Sequence, residues 1–332
     1  VTTVPDRRFR YRDLVCQEGL PEPDETTMHL LWQIVDEGVL GASRHVELVH
    51  RLLIYLAEPK LDAAIAARRV NLAARFISEV RGRDAPIVAN AIAWLVHDHA
   101  ATDDLQRMLS ERAGRWGEEA RARQRALVDN AVGLIGSDAA LIAFDYSSTV
   151  AAIVVSLHER GLCPRPIVPE SRAIAGGRRY LEQFLEAGID VSYVLDVAMD
   201  QTLSKADAVL LGCESLRCDG SLVNTVGSLP LAKLARLRDV PVYVCADLYK
   251  IDARSYAGEF REPPLRSFEC ILLTGIAVPP SRRVDTIGVE LEVIPPDLIT
   301  AYLTDSGSVP PSAIRALGRQ VLTGATAPSV ES

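Results

Sequence analysis

Near residue 139 the hydrophobic pattern changes its period, and that change restricts the chain to a helical part followed by an α/β part. From about residue 24 to 130 apolar residues recur three and four positions apart. Leu31, Ile34, Val35 and Val39 share one face of a helix over 28–39, and Val46, Val49, Leu52, Leu53 and Leu56 share the next. A third helix carries Leu61, Ile65, Leu72, Phe76 and Val80, and a fourth Ile87, Ile92 and Leu95. Gly38 and Gly41 punctuate the first two, as helix ends do. Between Asp104 and Arg125 charge density rises and Gly114 and Gly117 intervene, which predicts a solvated connecting helix or a pair of helices. No strand signal precedes residue 139.

Beyond it, short apolar runs alternate with amphipathic stretches. The runs are Ala140–Phe144, Pro166–Val168, Val191–Leu195, Ala208–Leu211, Pro241–Ala246 and Cys270–Thr274. The stretches include Thr149–Arg160, Gly177–Ala187 and Leu229–Arg238. Continuous apolar strands separated by helices predict a doubly wound parallel sheet covered on both faces, joined by right-handed crossovers. The expected organisation is a helical domain with its connecting helix over residues 1–130 and an α/β domain over 131–332. In such sheets ligands bind beyond the carboxyl ends of the strands, so those ends carry the informative residues.

Composition narrows the function. With 36 basic and 44 acidic residues the net charge is −8, which argues against a general nucleic-acid binder, though one basic pocket for a phosphate is compatible with it. No apolar run is long enough to span a bilayer, and the N-terminus is polar, so a cytoplasmic protein without a membrane partner is expected. The six cysteines form no CxxC pair and read as buried free thiols. His97 and His99 lack a ligand-spaced Cys or Glu, and surface helix histidines are the expectation rather than a metal site.

Several strand ends carry chemistry. The first runs into Asp145-Tyr146-Ser147-Ser148, where helix amides and hydroxyls suit an anion, and Asp145 is either the helix cap or a ligand-facing acid. The second ends at Glu170-Ser171-Arg172, where Arg172 is a phosphate clamp or an ion-paired surface arginine. The fourth leads to Glu214, then to a tight turn at Asp219-Gly220 and on to Asn224. The fifth ends near Lys250, one of four lysines. All these fall on one edge of the expected sheet. Two carboxylates near one ligand have their pKa values pushed apart, leaving one as acid and one as base.

The segments DYSSTV after LIAF, ESRAIAGGRR, GCESLRCDGSLVNTVGS, VPVYVCADLYKID and IPPDLITAYLTDSGSVPPSAI occur in that order. Together they resemble the superfamily of methylthioribose-1-phosphate isomerase, ribose-1,5-bisphosphate isomerase and the alpha, beta and delta subunits of initiation factor 2B. The N-terminal half is less similar. There Gly41, Ala42 and Arg44 resemble the isomerases' phosphate-binding R-G-A segment, with Leu40 at its arginine position. The resemblance implies a Rossmann-like sheet domain, a helical domain that closes over the site, and a homodimer.

The departures are as informative. The isomerases' catalytic cysteine and aspartate positions are Asp145 and Glu214 here. Their asparagine–lysine pair becomes Asn224-Thr225, which removes a cation, and the residue before the second-motif glycine becomes Gly176, which implies an enlarged pocket. Two readings follow. One is an aldose–ketose isomerase of a sugar 1-phosphate, with Asp145 as base, Glu214 as its partner, and Gly41, Ala42, Arg44, Ser147, Ser148, Arg172, Asn224 and Lys250 holding the substrate. It needs no metal or organic cofactor. The other is a non-catalytic sensing or assembly protein like the factor subunits, whose first turn shares the Ser-Ser. Thirty-two arginines against four lysines suggest a GC-rich bacterial source, which favours the enzyme, as does retention of an acid at both catalytic positions.

Overall fold

A computed structural model describes residues 7–35, 42–58, 62–98, 104–260, 262–263 and 265–324. The chain divides into two compact units. One comprises Val1–Ala122, Tyr249–Ile251 and Leu317–Ser332, the other Arg123–Leu248 and Asp252–Ala316.

The first unit is helical: α1 (Arg7–Gln17), α2 (Glu25–Val35), α3 (Ala42–Leu56), α4 (Ala63–Val80), α5 (Pro86–Val96) and the start of α6 (Leu105–Leu134). Asp62 begins α4 by accepting the amides of Ala64 (2.9 Å) and Ile65 (3.3 Å), and Pro86 opens α5, where a missing N–H costs nothing. Leu31, Ile34, Val49, Leu52, Phe76 and Leu95 fill the core, as their spacing predicts. The charged α1 was not visible in the periodicity; Tyr11 and Val15 anchor it, Tyr11 lying 5.2 Å from the Phe76 ring. Residues 105–125 form part of one helix, not two. Gly114 and Gly117 each weaken it by about 1 kcal/mol. Between them Trp116 is buried edge-on against Trp94 (5.6 Å) and Tyr249 (4.7 Å), and that burial outweighs the propensity. Asn90 is buried and donates to the carbonyls of Tyr249 and Ile251, both at 2.8 Å, which ties that short segment into the unit.

The second unit carries β1 (Ala140–Phe144), α7 (Ser148–Glu159), β2 (Arg165–Pro169), α8 (Gly176–Glu186), β3 (Ser192–Val194), α9 (Met199–Leu203) and β4 (Ala208–Leu211). Next come β5 (Ser215–Leu216), β6 (Leu222–Thr225), α10 (Ser228–Leu237), β7 (Val242–Cys245), β8 (Leu265–Ser267), α11 (Glu269–Leu272), β9 (Ile287–Val289) and β10 (Leu291–Ile294). β11 (Ala301–Thr304), β12 (Gly307–Val309) and α12 (Ile314–Gly324) follow, the end of α12 belonging to the first unit. The main sheet has the order β12-β11-β7-β4-β1-β2-β3, and all its pairs are parallel except β11–β12. Leu141 and Ala143 pack under α7 and α8 with Val150, Val154, Tyr180 and Phe184, while Phe144 faces Gly227 at the head of α10. Both faces are therefore covered, the reason the strands read as unbroken apolar runs. β5, β6 and β10 form a separate antiparallel sheet, and β8 pairs with β9.

One expected strand is absent. Residues 270–274 belong to α11 and the turn after it, with Leu272 exposed, and β11 takes the next place in the sheet. The apolar run there predicts a strand, but it sits in the β8–β9 excursion, where no sheet position buries it. Of the six cysteines Cys213, Cys218 and Cys245 are buried, and Cys16, Cys163 and Cys270 are exposed. His97 lies at the C-cap of α5, past its last turn, and His99 lies outside the described residues. No described helix is long and apolar enough to cross a membrane.

At Gly227 φ is +107°, and an added Cβ would sit 2.5 Å from Cζ of Phe144. Gly227→Ala is expected to lower the unfolding free energy by about 2–4 kcal/mol, through both the φ and the overlap, measured by urea denaturation.

Candidate active site

β1 is the branch point of the sheet. From it the chain crosses through α7 to β2 on one side, whereas its other neighbour, β4, is reached only after β3. In doubly wound sheets such a point is where ligands bind, beyond the carboxyl ends of the strands. Phe144 pairs with Leu211, so Asp145 and Gly212 leave the sheet side by side and Glu214 follows two residues on. The register brings the two loops side by side, and the charge of Glu214 acts on the Asp145 carboxyl.

The turn after β1 is built around Asp145, which is 4% exposed and has φ +58°, a left-handed conformation that aspartate tolerates better than most residues. It is not the helix cap. That role falls to Ser147, whose Oγ accepts the Val150 amide at 3.4 Å. Oδ1 of Asp145 accepts the Tyr146 amide (2.8 Å), and Oδ2 accepts the hydroxyl of Thr225 (2.7 Å). The carboxyl is raised to about 7, chiefly by burial and in smaller part by charge repulsion from Glu214 and Glu290, against the two hydrogen bonds. Glu214 is half-buried, its amide donating to the Val223 carbonyl at 3.2 Å, and its carboxylate makes no hydrogen bond among the described residues. Glu290 is paired with Arg266.

Close backbone approach makes this packing possible. A Cβ at Gly176 would lie 2.6 Å from Asp145 Oδ1, and one at Gly212 would lie 2.6 Å from Cβ of Ser147. The glycine at position 176 therefore does not enlarge a pocket, as the sequence suggested; the Asp145 carboxyl occupies the space. A Cβ at Gly177 would meet the Pro169 carbonyl oxygen at 2.1 Å, which fixes α8 against the end of β2.

The remaining predicted residues are distributed as follows. Ser148 is exposed in the first turn of α7. Arg172 is exposed in the loop after β2, whose shape is set by Asp196 accepting the amides of Ser171 and Arg172, both at 2.8 Å. Asn224 is buried and donates to Ser228 Oγ at 3.0 Å, on the opposite face of β6 from Thr225. Lys250 is half-buried in the segment grouped with the helical unit. Arg44 is exposed on α3 and pairs with Glu47 at 2.5 Å; Ala42 opens that helix, and Gly41 lies outside the described residues. Sequence reasoning missed Thr225 as a partner of Asp145, because only the separate antiparallel sheet swings β6 over the β1 turn. The head of α10 is already occupied by Glu292, which accepts the amides of Gly227 (2.8 Å) and Leu229 (2.6 Å) and so leaves no anion site there.

Because the folded chain holds a proton on Asp145 that the unfolded chain releases above its ordinary 3.8, this residue costs stability progressively as pH rises from there to about 7. Asp145→Asn keeps the left-handed turn and removes the charge. It is expected to raise the unfolding free energy at pH 8 by about 2–4 kcal/mol and to lose that advantage toward pH 4, measured by urea denaturation across pH.

Comparison with known proteins agrees with this architecture. A profile of the Initiation factor 2 subunit family matches residues 46–311. A ribose 1,5-bisphosphate isomerase of Archaeoglobus fulgidus is 24% identical over 80% of this chain and 89% of its own length. Among solved structures, translation initiation factor eIF-2B of Pyrococcus horikoshii superposes with a TM-score of 0.74 at 21% identity, over 87% of this chain and 98% of that one. The 5-methylthioribose 1-phosphate isomerase of the same organism superposes at 0.69 and 18% identity, over 90% and 88%. These two share the fold. With the profile covering most of its length, the chain belongs to the initiation factor 2 subunit family.

Proposed function

We propose that this protein is an aldose–ketose isomerase that converts a sugar 1-phosphate into the corresponding ketose 1-phosphate. The observation that carries the reading is a buried carboxyl, Asp145, raised to about 7 beside a second carboxyl, Glu214, at the branch point of the sheet. The isomerase relative aligned over most of this chain supports the reaction class.

Burial exchanges the roles that position alone suggested. Asp145, the member that holds its proton near neutrality, serves as the acid, and the more exposed Glu214 serves as the base. Asp145 protonates the ring oxygen as the C1–O bond breaks and its electron pair leaves with that oxygen. Glu214 takes the proton from C2, and the C2–H pair becomes the C1=C2 bond of an enol phosphate. Glu214 then returns that proton to C1 while Asp145 takes the proton of the C2 hydroxyl, which closes to a carbonyl. Oxidation at C2 and reduction at C1 cancel within one molecule, and both carboxyls end as they began. Arg172 and the hydroxyls of Ser147 and Ser148 are assigned to the phosphate, as donors at the mouths of α8 and α7.

The test is incubation with a panel of pentose 1-phosphates and 5-substituted analogues in deuterated water, followed by proton NMR. Turnover of at least one, with deuterium appearing at C1, is expected. Asp145→Asn and Glu214→Gln should each lower kcat by about 10²–10⁴-fold. Because the protonated Asp145 is the active form, kcat/KM should fall as pH rises through about 7. Binding without turnover across the panel would instead establish a ligand-sensing or assembly protein.

A further inference from the structure

We propose that Thr225 is the positioning residue of this site, its hydroxyl locking the Asp145 carboxyl in the single orientation from which it passes a proton. This rests on the isomerase reading for its purpose, but the geometry stands without it. Thr225 is 3% exposed and Asp145 4%, and their oxygens are 2.7 Å apart, a short bond to a carboxylate sealed from water. Asp145 would otherwise hinge on its own left-handed backbone, held only by the amide of the next residue.

The lock has three sides. Gly176 admits Oδ1, the Tyr146 amide holds it, and Thr225 holds Oδ2. Thr225 reaches that place because β6 pairs antiparallel with both β5 and β10, fixing its register from two directions. Its neighbour Asn224 points to the other face and bonds Ser228, so no adjacent side chain substitutes for the hydroxyl. The β-branch also limits χ1, which keeps the hydroxyl aimed. The other titratable or charged groups facing Asp145 are Glu214 on the β4–β5 loop, Glu290 beside β10 with its partner Arg266 on β8, and the Tyr180 phenol on α8. Both carboxylates repel a charge on Asp145, whereas the Thr225 hydroxyl favours the ionised form.

The sign of the test follows. Removing the hydroxyl takes away a donor to the carboxylate, so Asp145 must keep its proton to higher pH. The experiment labels the protein with ¹³Cγ-aspartate, assigns Asp145 by its loss in Asp145→Asn, and titrates it with no substrate present. Thr225→Val, which keeps the shape, is expected to move the midpoint up by about one pH unit, and Thr225→Ser to restore it. Thr225→Ala supplies the same reading should the valine variant misfold. In turnover, the alkaline limb of kcat/KM should move with the midpoint. At pH 8 the valine variant should then retain about five times more of its own low-pH activity than wild type retains of its own. A purely structural threonine would lower activity at every pH equally. An unchanged midpoint in the folded valine or alanine variant overturns the proposal, whether or not the protein turns over a sugar phosphate. A shifted midpoint with no turnover across the sugar panel sustains the lock and removes only the isomerase.

Discussion

The desolvation of one carboxyl group organises the α/β unit around it. An aspartate 96% removed from water is tolerated only if its oxygens are hydrogen-bonded or its proton is retained, and Asp145 uses both. That requirement propagates outward. The backbone turns left-handed to place the side chain inward, position 176 carries no Cβ, and a strand from a second sheet delivers a hydroxyl. Each is an unfavourable local choice that makes sense only in the presence of the others. Such local conflicts concentrate at functional sites.

Sheet topology then decides what the buried acid can meet. At the branch between β1 and β4 the strand register carries Asp145 and Gly212 to the same edge, with Glu214 two residues beyond. The acids differ in environment, one enclosed and hydrogen-bonded, the other half-open and without a side-chain partner among the described residues. Burial raises the proton affinity of the enclosed one, Asp145. The same topology removes an alternative. Glu292 accepts the amides at the head of α10, so that helix end is closed to an external anion.

Much of this was legible in the chain. The runs Ala140–Phe144 and Ala208–Leu211 coincide with β1 and β4, because strands buried on both faces leave an unbroken apolar signature. Helices α2 to α5 were equally plain, since each must bury one stripe. Cys270–Thr274 misled because apolar content marks burial only when some element covers it, and this segment lies on an excursion with Leu272 and Ile276 exposed. β11, with Thr300 before it and Thr304 at its end, carries too little apolar length to announce itself. Gly176 misled for a different reason. A missing side chain reads as vacant space in one dimension, while in three the vacancy belongs to whichever neighbour reaches it first.

Taken alone, the sequence determined helices α2 to α5, strands β1 to β4 and β7, the change from helical to sheet architecture, and the position of two acids after strand ends. Those properties follow from periodicity and chain order, which are local. Only the tertiary structure decided that Ser147 and not Asp145 caps α7, that Thr225 and not Asn224 meets the acid, and that Asp145 is the more deeply buried of the two acids. Each of these depends on desolvation and on contacts between residues as far apart as 145 and 225. No local pattern encodes how much water a side chain keeps, because that is settled by everything packed around it.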